Sequence, residues 1–308
     1  MFSLKAKTSD SNSAGIAISA NGIALAIVDH KQKIPSLKHA QFYPCSSSEQ
    51  SAQLTQLSKQ HQLNSIPCNF VLNPYEYQIL QVDAPEVPKQ ELSTALRWHI
   101  KDLIDFHIDD VVLEHLDLPT QNISGKQHLH VIACRQSLIQ NHVDLLHSAH
   151  CNINTIDIST LAARNIIKHL NLDNSASIGL LNLWSDTSRI SIFVNDDLYI
   201  NRNSNIGLDT LAFVSSEDNN SESIVDSLAL ELQRTFDYYE SHSRQAAIEQ
   251  LIIMTNGQTI PDLDQMIKQR LSIDCLTVKL TDFINLENSN EITDNCLMAV
   301  GGALRNEH

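Results

Sequence analysis

No stretch of the chain is apolar for long enough to cross a bilayer. The least polar run, residues 15–28, is broken by Ser19, Asn21 and Gly22, whereas a spanning helix needs about 20 predominantly apolar residues. The N-terminal MFSLKAKTSDSNSAG soon turns polar, so it lacks the apolar segment of a secretory signal. Cysteine pairs are missing too. Cys45, Cys68, Cys134, Cys151, Cys275 and Cys296 are scattered without a C-x-x-C spacing, and the expectation is reduced thiols in the cytoplasm. Basic charge is scarce. Lys and Arg number 21 against 36 Asp and Glu, a net charge of −15, and the densest cluster is only His30-Lys31-Gln32-Lys33. Such a chain repels nucleic acid and anionic lipid. No G-x-S-x-G, G-x-x-x-x-G-K-[ST] or H-E-x-x-H occurs, which leaves nucleophilic, P-loop and zincin chemistry without support.

What is present suffices for two lobes. Of 308 residues, 42% are apolar, and the mean hydropathy of −0.16 fits a soluble protein with real cores. Residues 1–13 are polar and expected to fray. Apolar residues 15–19 and 23–28 then flank Asn21-Gly22, a strong hairpin signal. A surface helix is expected over 49–62, a buried strand over 68–72, and strands over 75–82 and 128–134. Helices follow at 138–149 and from Ser159, the expected N-cap, to 170. The opening pattern then recurs as strands 178–183, 190–194 and 198–202. Residues 214–223 are expected as a flexible loop before a long helix carrying Leu228, Leu232, Thr235, Phe236 and Tyr239 on one face. A strand at 251–254, a helix through Leu263, Ile267 and Leu271, a strand near 275–278 and a closing helix at 297–304 complete the chain.

Residues 87–118 carry the most specific pattern. Leu92, Ala95, Leu96, His99, Ile100, Leu103, Ile104 and His107 follow helical spacing, with Pro88 placed for the first turn. Val111-Val112-Leu113 then opens a strand. The order of a proline-bounded approach, a helix with Leu96-Arg97-Trp98, an Ile104-Asp105-Phe106 break and Asp110-Val111-Val112-Leu113 resembles the inserted subdomain of PilM-like pilus assembly proteins. Residues 132–161, 190–202, 228–239 and 299–305 add to the likeness, which is strongest for the MSHA pilus members. The resemblance implies an α/β, actin-like (ASKHA, ribonuclease H-like) bilobed fold with an inserted α+β subdomain. Its parts would be a disordered 1–13, a first lobe of 14–72 and 151–171, the insert at 73–150, and a second lobe of 172–308.

The family likeness also sets expectations for sites. Actin-like lobes each hold phosphate at a hairpin turn, with a carboxylate that positions magnesium. Here Gly15-Ile16-Ala17-Ile18-Ser19 puts Ala17 at the acidic position, and Leu181-Asn182-Leu183-Trp184 puts Asn182 there in the second lobe. With both carboxylates replaced, hydrolysis is expected to fail. The degenerate cleft would be formed by Ser19, Asn21, Asn182, Asp186, Thr187, Asn256 and Gly257, with weak ATP binding as its residual activity and no other cofactor. The histidines, including His128 with His130 and His99 with His107, complete no ligand set, so no metal is expected. The resemblance further implies a non-catalytic scaffold of a type IV pilus inner-membrane platform. It would capture the N-terminal cytoplasmic tail of a PilN-like membrane protein and stand near the motor ATPase, peripheral to the membrane without inserting. Tyr75, Tyr77, Trp98 and Phe106 are the expected aromatic anchors. The alternative is an actin-like ATPase or small-molecule kinase, which needs the missing carboxylates. The cytoplasmic part of GspL-type secretion proteins is a further relative by fold, disfavoured by the absent membrane helix.

Overall fold

The computed structural model describes residues 11–118, 127–170, 172, 177–214, 221–243, 247–257, 259–287 and 294–305. The turn expected at 122–125 lies outside these residues, as do most of the polar ends and of the 172–177 connector. The first compact unit opens with β1 (Asn12–Ser19), β2 (Gly22–Asp29) and β3 (Ser36–Pro44), followed by α1 (Gln50–His61) and β4 (Cys68–Leu72). The Asn21-Gly22 hairpin forms, pairing Ser19 with Gly22 and Asn12 with Asp29. Only Leu54, Leu57 and Ser58 of α1 are buried, as its polar composition requires.

An inserted sheet follows, made of β5 (Tyr77–Asp83), β6 (Val111–Asp117) and β7 (His128–Arg135) in the order β5-β7-β6. Helix α2 (Leu92–His99) covers one face of it. It is shorter than its apolar stripe suggests. Beyond Ile100 the chain tightens, with Leu103 N donating to Ile100 O at 2.9 Å, yet Leu92, Leu96, Ile100 and Ile104 still pack with Val131 and Ala133 into one small core. Pro88 sits in the preceding turn, where its carbonyl accepts from Glu91 N at 2.8 Å. After β7 come α3 (Gln136–Ser148), β8 (Ile153–Ile158) and α4 (Ser159–Ile167). Ser159 does not cap α4 as expected. It is the first helical residue, and its hydroxyl lies 2.8 Å from the Tyr77 hydroxyl.

The second unit comprises Leu118–Gln127 and Asn171–Asp282. It contains β9 (Ser177–Leu183), β10 (Ser188–Val194), β11 (Asp197–Ser204), α5 (Leu208–Val214), α6 (Ser221–Ser243), β12 (Gln250–Thr255), α7 (Leu263–Leu271) and β13 (Asp274–Thr277). The helical stripe Leu228, Leu232, Thr235, Phe236 and Tyr239 is buried. Helix α5 was not foreseen; its only sequence signal is the pair Leu208 and Leu211, both buried in this unit's core.

The last elements, β14 (Asn285–Leu286) and α8 (Leu297–Ala303), return to the first unit. This corrects the expected second lobe of 172–308. The first unit's large sheet has the order β14-β3-β2-β1-β4-β8, and the second unit's sheet has the order β11-β10-β9-β12-β13. Each has an antiparallel meander of three strands with two parallel strands on the other side of its first member. Apart from β14 at the edge of the first, the two sheets therefore share one five-stranded plan.

Helix α8 reaches the first sheet because side chains are missing where it crosses. A Cβ on Gly15 would lie 1.8 Å from Ala299 O, and one on Gly301 would lie 2.3 Å from Ala162 O. The terminal carbonyls that a helix leaves without partners are taken by buried polar groups of the unit. Asn69 Nδ2 donates to Gly302 O at 2.9 Å, Asn165 Nδ2 to Gly301 O at 2.9 Å, and Ser13 Oγ to Ala303 O at 2.6 Å. Gly15→Ala is therefore expected to destabilise the protein by about 3 kcal/mol, read as a lower midpoint in urea denaturation. A midpoint unchanged from the parent would show that the sheet and helix separate freely.

Asp29, at the end of β2, supplies a pH handle on the same unit. Lys38 Nζ lies 2.7 Å from its carboxylate, and Ser11 Oγ and Lys31 N also donate to it. The Lys38 hydrogen bond first, then that of Ser11, hold the carboxyl far below the usual range, against the opposing effect of burial. A group depressed in the folded state contributes stability above its unfolded pKa of about 3.9 and loses it as pH falls toward the folded value. Asp29→Asn should lower the melting temperature at neutral pH, with the difference from the parent shrinking as pH drops below about 4. A difference that is constant with pH would refute the assignment.

Candidate functional site

Several residues expected to form a nucleotide site make internal contacts within their own unit, while others are exposed. In the first hairpin, Gly15 is committed to the approach of α8. Ser19 and Asn21 are exposed at the tip. The Ser19 carbonyl accepts from Gln50 Nε2 at 2.7 Å, the Asn21 carbonyl accepts from Cys45 N at 3.1 Å, and the Ile18 carbonyl accepts from Asn73 Nδ2. In the second unit Asn182 is 1% exposed. Its Oδ1 accepts from Asn256 Nδ2 at 2.6 Å, and the same amide reaches Leu183 O at 3.1 Å. The fold thus brings Asn182 and Asn256 together, but as a buried amide pair. The following turn is closed on itself. Trp184 N donates to Thr187 O at 2.9 Å, and Thr187 Oγ1 to Ser204 O at 2.7 Å. The first turn of α5 returns Leu208 N to Trp184 O at 2.7 Å and Asp209 N to Ser185 O at 2.8 Å. Asp186 is exposed and Gly257 half-buried, with Leu208 Cδ1 3.2 Å from where a Gly257 Cβ would sit. Anion binding at such a hairpin needs convergent backbone N–H groups, and the Trp184 N–H points back into the turn.

The four aromatic candidates do not converge. Tyr77 is 3% exposed, and its hydroxyl meets Ser159 Oγ at 2.8 Å and Thr160 Oγ1 at 2.9 Å. It is a core residue and cannot anchor a partner. Phe106 packs into the core of the insert with the Arg135 guanidinium 4.9 Å from its ring. Tyr75 and Trp98 are each 63% exposed, and Lys101 Nζ lies 5.7 Å from the Trp98 ring. Among the histidines, His128 Nδ1 pairs with Asp83 Oδ1 at 3.0 Å, while His130 is buried. Among the described residues no group of three or more His, Cys, Asp or Glu is placed to hold a metal ion.

The feature that the sequence did not disclose is a mostly apolar groove in the first unit, with a volume of about 390 Å³. One wall is β6, residues 112–116, backed by Ile132 and Cys134 of β7. Ile139, Val143 and His147 of α3 line it at i, i+4 and i+8, one face of that helix. The opposite wall is β8, with Ile153, Asn154, Ile156, Asp157 and Ile158. Burial pushes the Cys134 thiol up to about 12, so this side chain stays uncharged at neutral pH. Arg305, just past α8, also reaches the groove. Its Nη1 lies 2.8 Å from Asp157 Oδ2, with the Asp157 side chain 2% exposed, and Asp157 Oδ1 accepts from Ile158 N at 2.8 Å. The pair is an ion contact rather than an aligned hydrogen bond, since Oδ2 has no hydrogen-bond partner. The helix anchored by Gly15 thus places a cation against the carboxylate of this wall. Sizeable concave sites with apolar walls and few polar groups are the usual form of a binding site.

Compared with known proteins, the chain matches the profile of the family described as type IV pilus assembly protein PilM over residues 79–213. No curated protein sequence matches. Among solved structures, a chain of a PilM–PilN type IV pilus biogenesis complex aligns over 95% of this chain and 97% of its own, at 18% identity and a TM-score of 0.72. The cytoplasmic domain of EpsL, an inner-membrane component of the Vibrio cholerae type II secretion system, covers 96% and 97% at 11% identity and a TM-score of 0.56. A Bacteroides thetaiotaomicron protein of actin-like ATPase fold and unknown function covers 87% and 91% at 8% identity and a TM-score of 0.50. The chain has the actin-like fold, and its residues 79–213, from the inserted sheet into the first helix of the second unit, are similar to the PilM family.

Proposed function

We propose that the protein is a non-catalytic scaffold of a type IV pilus inner-membrane platform, which binds the N-terminal cytoplasmic tail of a PilN-like membrane protein in the groove between β6 and β8. The groove carries this reading. It is mostly apolar, open, and lined by residues of the region of PilM likeness together with Leu72 and Arg305. The solved relative comes from a PilM–PilN complex, and a PilN-like partner follows from that likeness. The protein would be cytoplasmic and held at the inner membrane by the tail, close to the motor ATPase. The order of residues in 87–118 favours the MSHA branch of the family, that of the biogenesis protein MshI.

Val143, half-buried on the groove face of α3, is the position to test. Val143→Lys places a charge against apolar walls, which desolvated groups tolerate poorly. Calorimetric titration with a synthetic peptide of the cognate PilN-like tail should show binding to the parent, at least tenfold weaker binding to Val143→Lys, and parent-like binding to Trp98→Ala. Trp98 is exposed but not part of the groove lining, so loss of affinity in Trp98→Ala with none in Val143→Lys would move the site to α2. No binding to the folded parent would remove the scaffold reading.

The non-catalytic part of the proposal is supported by Ala17, by the buried Asn182–Asn256 pair and by the self-closed turn at Trp184. Phosphoryl transfer relies on metal and electrostatic positioning, and neither hairpin offers a carboxylate at the family position. Purified protein with magnesium and ATP should release phosphate no faster than buffer. Sustained magnesium-dependent turnover would favour the ATPase or kinase reading instead.

A further inference from the structure

We propose that the groove holds its occupant as an added β-strand, hydrogen-bonded along the outer edge of β6, so that the inserted sheet becomes four-stranded in the order β5-β7-β6-partner. This rests on the reading that the groove takes the tail of a membrane partner.

The lining itself carries the inference. Successive side chains of a strand point to opposite faces of its sheet, so a cavity lying on one face meets every second residue. That is what β7 shows, with Ile132 and Cys134. Strand β6 contributes five consecutive residues, 112–116. Val112 and Glu114 share the face of their β7 partners Cys134 and Ile132, and Leu116 follows them in register. Leu113 and His115 belong to the other face. A cavity that meets both sets runs along the strand's edge, and β6 is the terminal strand of its sheet. Residues 112–116 are half-buried or exposed throughout.

The other wall is shaped differently. Strand β8 also ends its sheet and also lines the groove with residues of both faces, but Asp157 and Ile158 are buried, with Arg305 packed against the aspartate. Covering an edge with another segment is a common protection against strand addition. The edge of β6 has no such cover among the residues that line the groove.

The backbone of an edge strand presents donors and acceptors that an extended segment can satisfy while satisfying its own. A helical occupant bonds internally and would leave that edge to water inside a mostly apolar groove. The added strand would send alternate side chains toward Ile139, Val143 and Ile156, so apolar residues are expected at every second position there. Glu114 is exposed in the groove and the chain carries −15, which favours a basic residue beside it.

N-methylation of the peptide backbone separates this mode from side-chain docking. A set of cognate-tail peptides, each with one N-methyl amide, is titrated into the full chain. Loss of at least tenfold in affinity is expected at every second amide of the central segment, with the intervening ones close to the unmodified peptide. Hydrogen exchange should show the bound peptide protecting amides within 111–117. Binding of the unmodified peptide with no alternation, or protection confined to 153–158, would overturn the β6 strand while leaving the groove as the site. Failure of the unmodified peptide to bind would overturn both readings.

Discussion

The first unit depends on how closely α8 can lie on its sheet. Backbone meets backbone there: Gly15 of β1 faces Ala299 and Ala303, and Gly301 faces Ala162 of α4. Such contact buries helix carbonyls, and unpaired buried carbonyls are costly. Asn69, Asn165 and Ser13 remove that cost by donating to three successive carbonyls, Gly301 to Ala303. His30 Nε2 also lies 3.1 Å from Ala303 O, and burial is the main cause holding its imidazole below its ordinary pKa. The chain end that leaves this anchored helix carries Arg305 to Asp157, so one packing constraint fixes both the closure of the sheet and the polar end of the groove.

That constraint also explains what could and could not be read from the sequence. The Asn21-Gly22 hairpin, the polar α1, the stripe of α6 and the closing helix are local patterns, and the structure contains each of them. Assigning α8 to a sheet is not a local question. Sequence order placed it with the second lobe, while its glycines fit the first. Adjacent Gly301 and Gly302 inside an apolar helix were the available clue, since glycine there is unfavourable unless backbone must approach. The inserted helix ended early for a similar reason. Its stripe continues past His99, but turns rather than a regular helix deliver Ile104 to the small core.

The site was less legible because it is made from edges. β6 belongs to the inserted sheet and β8 to the large one, and nothing in either segment says that their edges face a common space. Tyr77 illustrates the converse. An aromatic residue near a suspected interface has the composition of an anchor, yet its hydroxyl is directed inward to Ser159 and Thr160. Asn182 is a third case. As an isolated residue it could hold a water near a metal. Its partner Asn256, on the loop after a parallel neighbour strand, turns it into a buried structural amide.

The second unit's hairpin turn and the groove treat backbone hydrogen-bonding groups in opposite ways. A phosphate turn works by leaving backbone N–H groups unsatisfied until the ligand arrives. In this chain α5 and the Trp184–Thr187 turn satisfy each other, which stabilises the second unit and removes the donors a phosphate would need. The groove has the opposite arrangement, keeping a strand edge beside apolar walls. An edge of that kind invites aggregation unless it is short or guarded. The exposed Glu114 within it and the net charge of −15 guard against pairing with a second copy, because like charges directly opposite disfavour the sheet. The same charges raise the encounter rate of a basic segment. On the proposed reading, charge would select what reaches the edge, and the apolar walls would determine how long it stays.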